Sequence, residues 1–337
     1  MLSISDFVQD IKKMGTDKIF QINFYKKTMV GVHPDRPEIK SISLYESITS
    51  GFLTGTTIRL FVQPLDVLKI RFQLQEEPTI RKGGGKYNGI GQSIKTIYKE
   101  EGITAFWKGH IPAQLLSQIY AIVQFTTYIQ FAKYFTKIFK NNKDCQTLSD
   151  FFAGSLSGSL SITASMPLDV IRTRMVAQGT PKIYKNIFHA TKKIFKKEGY
   201  RGFYKGLSAS ITQTAPFTGL QFLSYNYLGN VWEKLISTNN SSIGSVICGG
   251  LAGCFSKCIM YPFDVVRHRM QVLPSDRRGF GKATIHIGMI GTFKKIIREE
   301  SVFGLYKGLV ASILKASVMA GLSFCSFELF AEYIQKK

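Results

Sequence analysis

Pro64-Leu-Asp-Val-Leu-Lys-Ile-Arg71 returns as Pro167-Leu-Asp-Val-Ile-Arg-Thr-Arg174 and again as Pro262-Phe-Asp-Val-Val-Arg-His-Arg269. Each copy sets a proline, an acid two residues on, and bases five and seven residues on. The copies begin 103 and 95 residues apart, so the chain reads as three repeats of one unit, which has to be settled before any local motif is weighed. A proline inside a helical pattern removes the donor for the carbonyl four residues back. Each octapeptide therefore predicts a helix broken or kinked at Pro64, Pro167 and Pro262, with opposite charges beside the bend.

Upstream of each proline lies a helix-length apolar segment, Ser41 to Gln63 in the first repeat, long enough for a hydrocarbon core of about 30 Å although it carries Glu46 and Arg59. Glycines stand 13 and 9 residues before each proline: Gly51 and Gly55, Gly154 and Gly158, Gly249 and Gly253. Glycine costs a helix up to about 1 kcal/mol against alanine, so a pair one turn apart in all three repeats predicts close helix contact in a membrane. Downstream come a polar stretch and a short amphipathic helix, over Tyr87 to Glu100, Tyr184 to Glu198 and His286 to Glu300. A second signature follows as Glu101-Gly-Ile-Thr-Ala-Phe-Trp-Lys-Gly109, Glu198-Gly-Tyr-Arg-Gly-Phe-Tyr-Lys-Gly206 and Glu300-Ser-Val-Phe-Gly-Leu-Tyr-Lys-Gly308. Each opens a second long helix with small residues four and eight positions past the last glycine: Ala113 and Ser117, Ser210 and Thr214, Ser312 and Ala316. The reading is a tail over 1–40 and repeats over 41–140, 141–236 and 237–337.

Composition narrows the class. The 337 residues are 45% hydrophobic with a formal charge of +22, and the three segments from proline to Lys-Gly carry +3, +8 and +5 of it. One face is basic, the pattern of a membrane protein by the positive-inside bias rather than of a nucleic-acid binder. Cys145, Cys248, Cys254, Cys258 and Cys325 have no framework spacing and read as free thiols. The tail mixes seven basic with five acidic residues, unlike a cleaved presequence; it allows an amphipathic helix from Phe7 to Phe20. Arg81-Lys-Gly-Gly-Gly-Lys86 lacks the strand and the Lys-Ser/Thr pair of a phosphate loop. No nucleophile-base or metal-ligand spacing points to an enzyme, a metal or a cofactor.

These two triplicated motifs make the chain, from about residue 41 to 335, resemble the mitochondrial carrier family. The resemblance implies an all-α integral membrane fold: six transmembrane helices in three pseudo-threefold repeats around a central cavity, with short matrix-side amphipathic helices. It implies alternating access at the inner mitochondrial membrane, both termini toward the intermembrane space, contact with membrane lipid such as cardiolipin, and a monomer. By the family's pattern the acid of each repeat pairs with the base of the next at a matrix gate: Asp66 with Arg172, Asp169 with Arg267, Asp264 with Lys69. Gln73 and Gln271 brace this gate, and Val176 stands where the second brace belongs. The opposite gate is sparsely charged. Tyr128 precedes Ile129, Tyr225 precedes Asn226, and Phe327-Glu328 keeps the acid with Ala331 where a base belongs, so an outward-open resting state is expected.

Cargo chemistry is sought where the repeats differ. Five residues before the prolines stand Arg59, Ile162 and Lys257; seven beyond the Lys-Gly glycines, at the family's contact points, stand Leu116, Gln213 and Lys315. An intramembrane cation costs at least about 2.5 kcal/mol in lipid, so Arg59, Lys257 and Lys315 predict a wet cavity and an anionic cargo. Tyr120, Phe217 and Met319 one turn on, then Gln124, Gln221 and Ser323, with Gln213 and Thr214, suit a planar heterocycle bearing a phosphate chain. Longer stretches narrow the resemblance: Phe106-Trp-Lys-Gly-His-Ile-Pro-Ala-Gln114, Val123-Gln-Phe125, Ala177-Gln-Gly179, Gly219-Leu-Gln-Phe222, Ser256-Lys257 and Leu314-Lys315. They resemble the branch that exchanges thiamine pyrophosphate for nucleotides, deoxynucleotides included. Met29-Val-Gly-Val-His-Pro-Asp35 resembles that branch's usual start. A carrier of coenzyme A or adenine nucleotides is the alternative.

Overall fold

The computed structural model describes residues 44–76, 85–138, 143–235, 241–276, 288–319, 321 and 322. The tail, residues 81–84, Ser323, Cys325, Phe327-Glu328 and Ala331 lie outside the described residues, as do the side chains of Glu46, Gly51 and Cys145. The elements are α1 (Leu44–Leu74), α2 (Ile90–Glu101), α3 (His110–Ile138), α4 (Lys143–Ala177), α5 (Ile187–Glu198), α6 (Leu207–Leu235), α7 (Ser241–Gln271), α8 (Met289–Glu300) and the start of α9, residues 309–319. Among the described residues there is no strand. Two compact units divide the chain: the smaller includes Phe222–Gly253, the larger Ser43–Gln221 and Cys254–Lys337.

In the smaller unit Cys248 and Ala252 are buried, and Gly249 lets the Tyr225 ring come within 3.9 Å of where a Cβ would stand. In the larger unit α3 and α4 run as a hairpin, held at the turn end by Phe135 against Phe152 with ring centres 6.0 Å apart. Helices of 29 to 35 residues extend about 45 to 50 Å at 1.5 Å per residue, more than a bilayer core requires. Among the described residues, Val302–Met319 is the one stretch that meets both the length and the mean hydropathy, 1.4, of a membrane span.

The helices are not broken at the prolines. Pro64, Pro167 and Pro262 each sit inside a continuous helix, which excludes the break of the two alternatives expected there. In α1 the loss is repaired from outside. The Leu60 carbonyl, left without its Pro64 donor, accepts the Trp107 indole N–H at 3.1 Å. The residue before the proline then ties the odd helix to the Lys-Gly turn of its own repeat: Gln63 donates to the Lys108 carbonyl at 3.0 Å, and the Tyr261 hydroxyl to the Lys307 carbonyl at 3.0 Å.

The paired glycines also behave differently from the close-contact expectation. Gly158 faces the Thr214 methyl at 3.0 Å, whereas a Cβ at Gly55, Gly154 or Gly253 would meet open space. The glycines of the Lys-Gly turns, by contrast, are packed against the backbone of another repeat. Gly109, Gly206 and Gly308 have φ of 74°, 84° and 82°, and a Cβ there would approach the backbone carbonyls of Arg172, Arg267 and Lys69 to 3.2, 2.9 and 3.0 Å. Each turn therefore touches the odd helix of the next repeat, at the base of its octapeptide.

Between each amphipathic helix and the next long helix lies one 3-10 turn, over Ile103–Trp107, Tyr200–Tyr204 and Val302–Tyr306. Ile97 with Phe106, Ile194 with Phe203, and Ile296 with Leu305 anchor equivalent small cores beneath α2, α5 and α8. The residue entering each turn has positive φ: Gly102, Gly199 and, in the third repeat, Ser301 at 64°. A non-glycine residue with positive φ and extended ψ carries about 1 to 3 kcal/mol of strain. Ser301→Gly is expected to raise thermal stability in detergent slightly, offset by the extra freedom of glycine in the unfolded chain. Gly206→Ala is expected to lower it by several degrees. Equal melting temperatures for the two variants would contradict this account of the turn.

Candidate functional site

The octapeptides bring their charged side chains to one level, because each is carried on the same register of α1, α4 or α7. Asp66, Asp169 and Asp264 are all buried. Arg172 lies 2.6 Å from Asp66, Arg267 lies 2.6 Å from Asp169, and Lys69 donates to Asp264 at 3.0 Å. Every pair joins one repeat to another. A lone buried carboxylate would be costly, and each of these is met by a base that its own repeat does not supply.

Around the pairs lies a cavity of about 210 Å³ lined by Asp66, Lys69, Ile70, Asp169, Arg172, Lys257, Asp264, Arg267, His268 and Lys315. Five bases face three carboxylates, so the cavity holds a surplus of positive charge. Lys315 hydrogen-bonds Asp66, and Lys257 lies 3.6 Å from Asp264. The third expected cation is placed otherwise. Arg59 does not line this cavity; its guanidinium donates to the Ala113 carbonyl at 2.8 and 3.2 Å and to the Ser117 hydroxyl, with Asp66 3.8 Å away. It thereby ties α1 to α3.

The remaining candidates are spread out. Gln213 donates to Asp264 at 3.1 Å, and Thr214 returns its hydroxyl to the Ser210 carbonyl. Tyr120 is half-buried against the cluster of Ile162, Met166 and Val170. Phe217 and Gln124 are half-buried, Gln221 and Met319 exposed; none of these lines the cavity. Gln271 donates to Asp169, but Gln73 does not reach the Lys69 pair: it donates to the Tyr261 hydroxyl at 3.0 Å. Tyr261, from the third repeat, is long enough to intercept it.

Two features escaped the sequence reading. His268 lines the cavity where the other repeats have Ile70 and Thr173, a break in symmetry of the kind that singled out Lys257. The second base of each octapeptide forms a further ring. Arg71, Arg174 and Arg269, at most 1% exposed, each grip one glutamate of the second signature with two N–H groups: Glu101, Glu198 and Glu300. Each also reaches into the next repeat, Arg71 to the Val176 carbonyl at 3.3 Å, Arg174 to Gln271 at 2.9 Å and Arg269 to Gln73 at 2.9 Å. Lys108, Lys205 and Lys307 complete the coordination of the same glutamates. The signal was available, since base and glutamate recur together in all three copies.

Burial alone would raise the Glu101 carboxyl, but the hydrogen bonds and charges of Arg71 and Lys108 outweigh it and hold the group below the usual range. Glu198 is lowered in the same way by Arg174 and Lys205. Stability from these groups is present above the ordinary glutamate value of 4.5 and is lost as pH falls below it. Burial pushes the Tyr87 phenol the other way, up to about 12. Arg174→Lys keeps the charge but loses the fork on Glu198, and is expected to cost about 1.5 to 3 kcal/mol of stability. Lys205→Gln, removing a base that is 35% exposed, is expected to cost under about 1 kcal/mol. Melting curves in detergent decide, and a larger loss for Lys205→Gln would contradict the arrangement.

The pattern of the mitochondrial carrier protein family matches three times, over residues 40–139, 143–235 and 238–337. A mitochondrial thiamine pyrophosphate carrier of Homo sapiens is 36% identical over 311 residues, covering 90% of this chain and 96% of its own length. That of Bos taurus is 38% identical over 312 residues, covering 90% and 97%. A mitochondrial thiamine diphosphate carrier 2 of Zea mays is 34% identical over 330 residues, covering 90% and 98%. With three matched repeats and relatives similar along nearly their whole length, the chain belongs to the mitochondrial carrier family, transporters of the inner mitochondrial membrane.

Proposed function

We propose that the protein imports thiamine pyrophosphate into the mitochondrial matrix in exchange for nucleotides, deoxynucleotides included, by alternating access. The observation that carries this reading is the cavity in which five bases face three buried carboxylates. Such a site attracts a multiply charged anion, and the relatives that match over nine-tenths of the chain are carriers of thiamine pyrophosphate by name. Lys257 and Lys315 are the residues we assign to the diphosphate. Gln213, Thr214, Tyr120, Phe217, Gln124 and Gln221 are the candidates for the heterocycle at a further level of α3 and α6. Arg59 serves through its tie to α3.

The long helices α1, α3, α4, α6 and α7, together with the segment that α9 begins, are the proposed membrane spans, with both termini toward the intermembrane space and one chain as the working unit. Exposed Leu60, Phe61, Leu115, Ile122, Phe125, Leu156 and Leu160 along α1, α3 and α4 suit lipid contact. The outer faces of α2, α5 and α8 present Tyr98, Phe188, Phe195, Ile290 and Ile297 beside lysines, a composition suited to the matrix-side headgroup layer and to anionic lipid such as cardiolipin. With all three cross-repeat pairs formed, the cavity is closed toward the matrix. Charged pairs in such a place are close to neutral in net free energy, which suits contacts that must break in every cycle.

Reconstituted liposomes loaded with nucleotide test the assignment. Uptake of thiamine pyrophosphate is expected to exceed that of ADP and coenzyme A, and the reverse order would move the chain to the other cargo class. Thiamine pyrophosphate carries a thiazolium cation and so has less net negative charge than a nucleoside triphosphate. Lys315→Gln is expected to slow exchange of both by roughly ten- to a hundredfold, through loss of one charge-assisted contact, and to harm triphosphate more. Wild-type rates for both Lys315→Gln and Lys257→Gln would place the phosphate site elsewhere.

A further inference from the structure

The three buried carboxylates are not held alike. Asp169 accepts two directed bonds from Arg267, at 2.6 and 3.1 Å, and a third from the Gln271 amide. Neither Lys257 nor Lys315 forms an ion pair with it. Asp264 accepts from Lys69 and Gln213 and has Lys257 at 3.6 Å. Asp66 differs in receiving no directed hydrogen bond from its cross-repeat base, although the charges are 2.6 Å apart. Arg172 is near enough for an ion pair but not aligned for a hydrogen bond, and among the described residues the Arg172 Nε–H and Asp66 Oδ2 are buried without hydrogen-bond partners. The hydrogen bond that Asp66 does accept comes from Lys315.

The two cations assigned above to the cargo are thus engaged with two of the three gate carboxylates. We propose that Lys315 is a latch as well as a binding group: with no cargo it holds Asp66 in place, and a diphosphate opens the gate by taking Lys315 from Asp66. Lys257 does the same, more loosely, at Asp264. A diphosphate carries more negative charge than a carboxylate and presents several acceptor oxygens, so it outcompetes Asp66 for a shared ammonium. The Asp66–Arg172 contact, losing its hydrogen-bonded support, then yields first. Asp169–Arg267, braced by Gln271 and not paired with either lysine, yields last. The gate therefore opens between repeats one and two ahead of two and three.

This inference rests on the cargo being an anion of the proposed class, and its test separates the two. In a surplus of positive charge, deleting a cation that only waits for cargo relieves repulsion and tightens the closed gate. Deleting a latch loosens it. The two ideas predict opposite signs. Ile70 lines the cavity and is 1% exposed, so a cysteine there, in a protein whose five native cysteines are replaced by serine, reports opening to a thiol reagent added from the matrix-facing side. Inorganic pyrophosphate is expected to speed labelling of Ile70→Cys about tenfold. Lys315→Met is expected to raise the rate to that level without pyrophosphate and to abolish the response to it. A rate in Lys315→Met equal to or below its parent overturns the latch, as does a parent that pyrophosphate does not accelerate, a comparison that survives if Lys315→Met fails to fold. Pyrophosphate-dependent labelling without thiamine pyrophosphate uptake supports the latch and removes the cargo assignment. Uptake with labelling indifferent to pyrophosphate does the reverse.

Discussion

Three buried carboxylates, each satisfied by a base from a neighbouring repeat, are the constraint on which the rest of the larger unit depends. A carboxylate buried to the extent of Asp66, Asp169 or Asp264 is tolerable only beside its base. The odd helices must therefore reach one level in one register, and no repeat closes alone, since each supplies the acid for one neighbour and the base for the other. The proline sets the position of the acid. The Lys-Gly turn, whose glycine abuts the backbone at the next repeat's base, sets how closely the repeats approach.

A second ring separates permanence from change. Arg71, Arg174 and Arg269 bind glutamates of their own repeats through two bonds each and backbone carbonyls of the next repeat through others. A guanidinium with this many directed partners is a fixed joint. The aspartate pairs have fewer and less aligned bonds, and they alone border the cavity. The same octapeptide thus supplies, two residues apart, a contact suited to opening and one suited to staying shut. The symmetric residues make this machinery. Lys257, Lys315, Gln213 and His268 break the symmetry, and to the first three we assign the distinction of one cargo from another.

Much of this was legible in the chain because it is written three times. The short amphipathic helices follow from positions that recur with fixed offsets, and the facing of Asp66 to Arg172 from the resemblance to the family's pattern. Other features were hidden for physical reasons. Whether the helices break or continue at their prolines is left open by the sequence, because the repair of the Leu60 carbonyl comes from Trp107, in another element. That Arg59 spends itself on Ala113 and Ser117 depends on side-chain direction, which the register alone leaves open. Gly55, Gly154 and Gly253 suggested contact but face open space. Spacing places Lys315 near the cavity without saying whether a carboxylate or a cargo claims it, and its hydrogen bond to Asp66 depends on side-chain direction.

The claim that cross-repeat pairs control the passage is most directly tested at Lys69 and Asp264, the pair held by one directed bond. Exchange by reconstituted protein is measured for Lys69→Asp, for Asp264→Lys and for the two together, with melting curves confirming that each is folded. The account predicts that either single change, placing like charges face to face, lowers exchange at least tenfold and that the double swap recovers a substantial part of it. A folded double swap no more active than the worse single variant would contradict it.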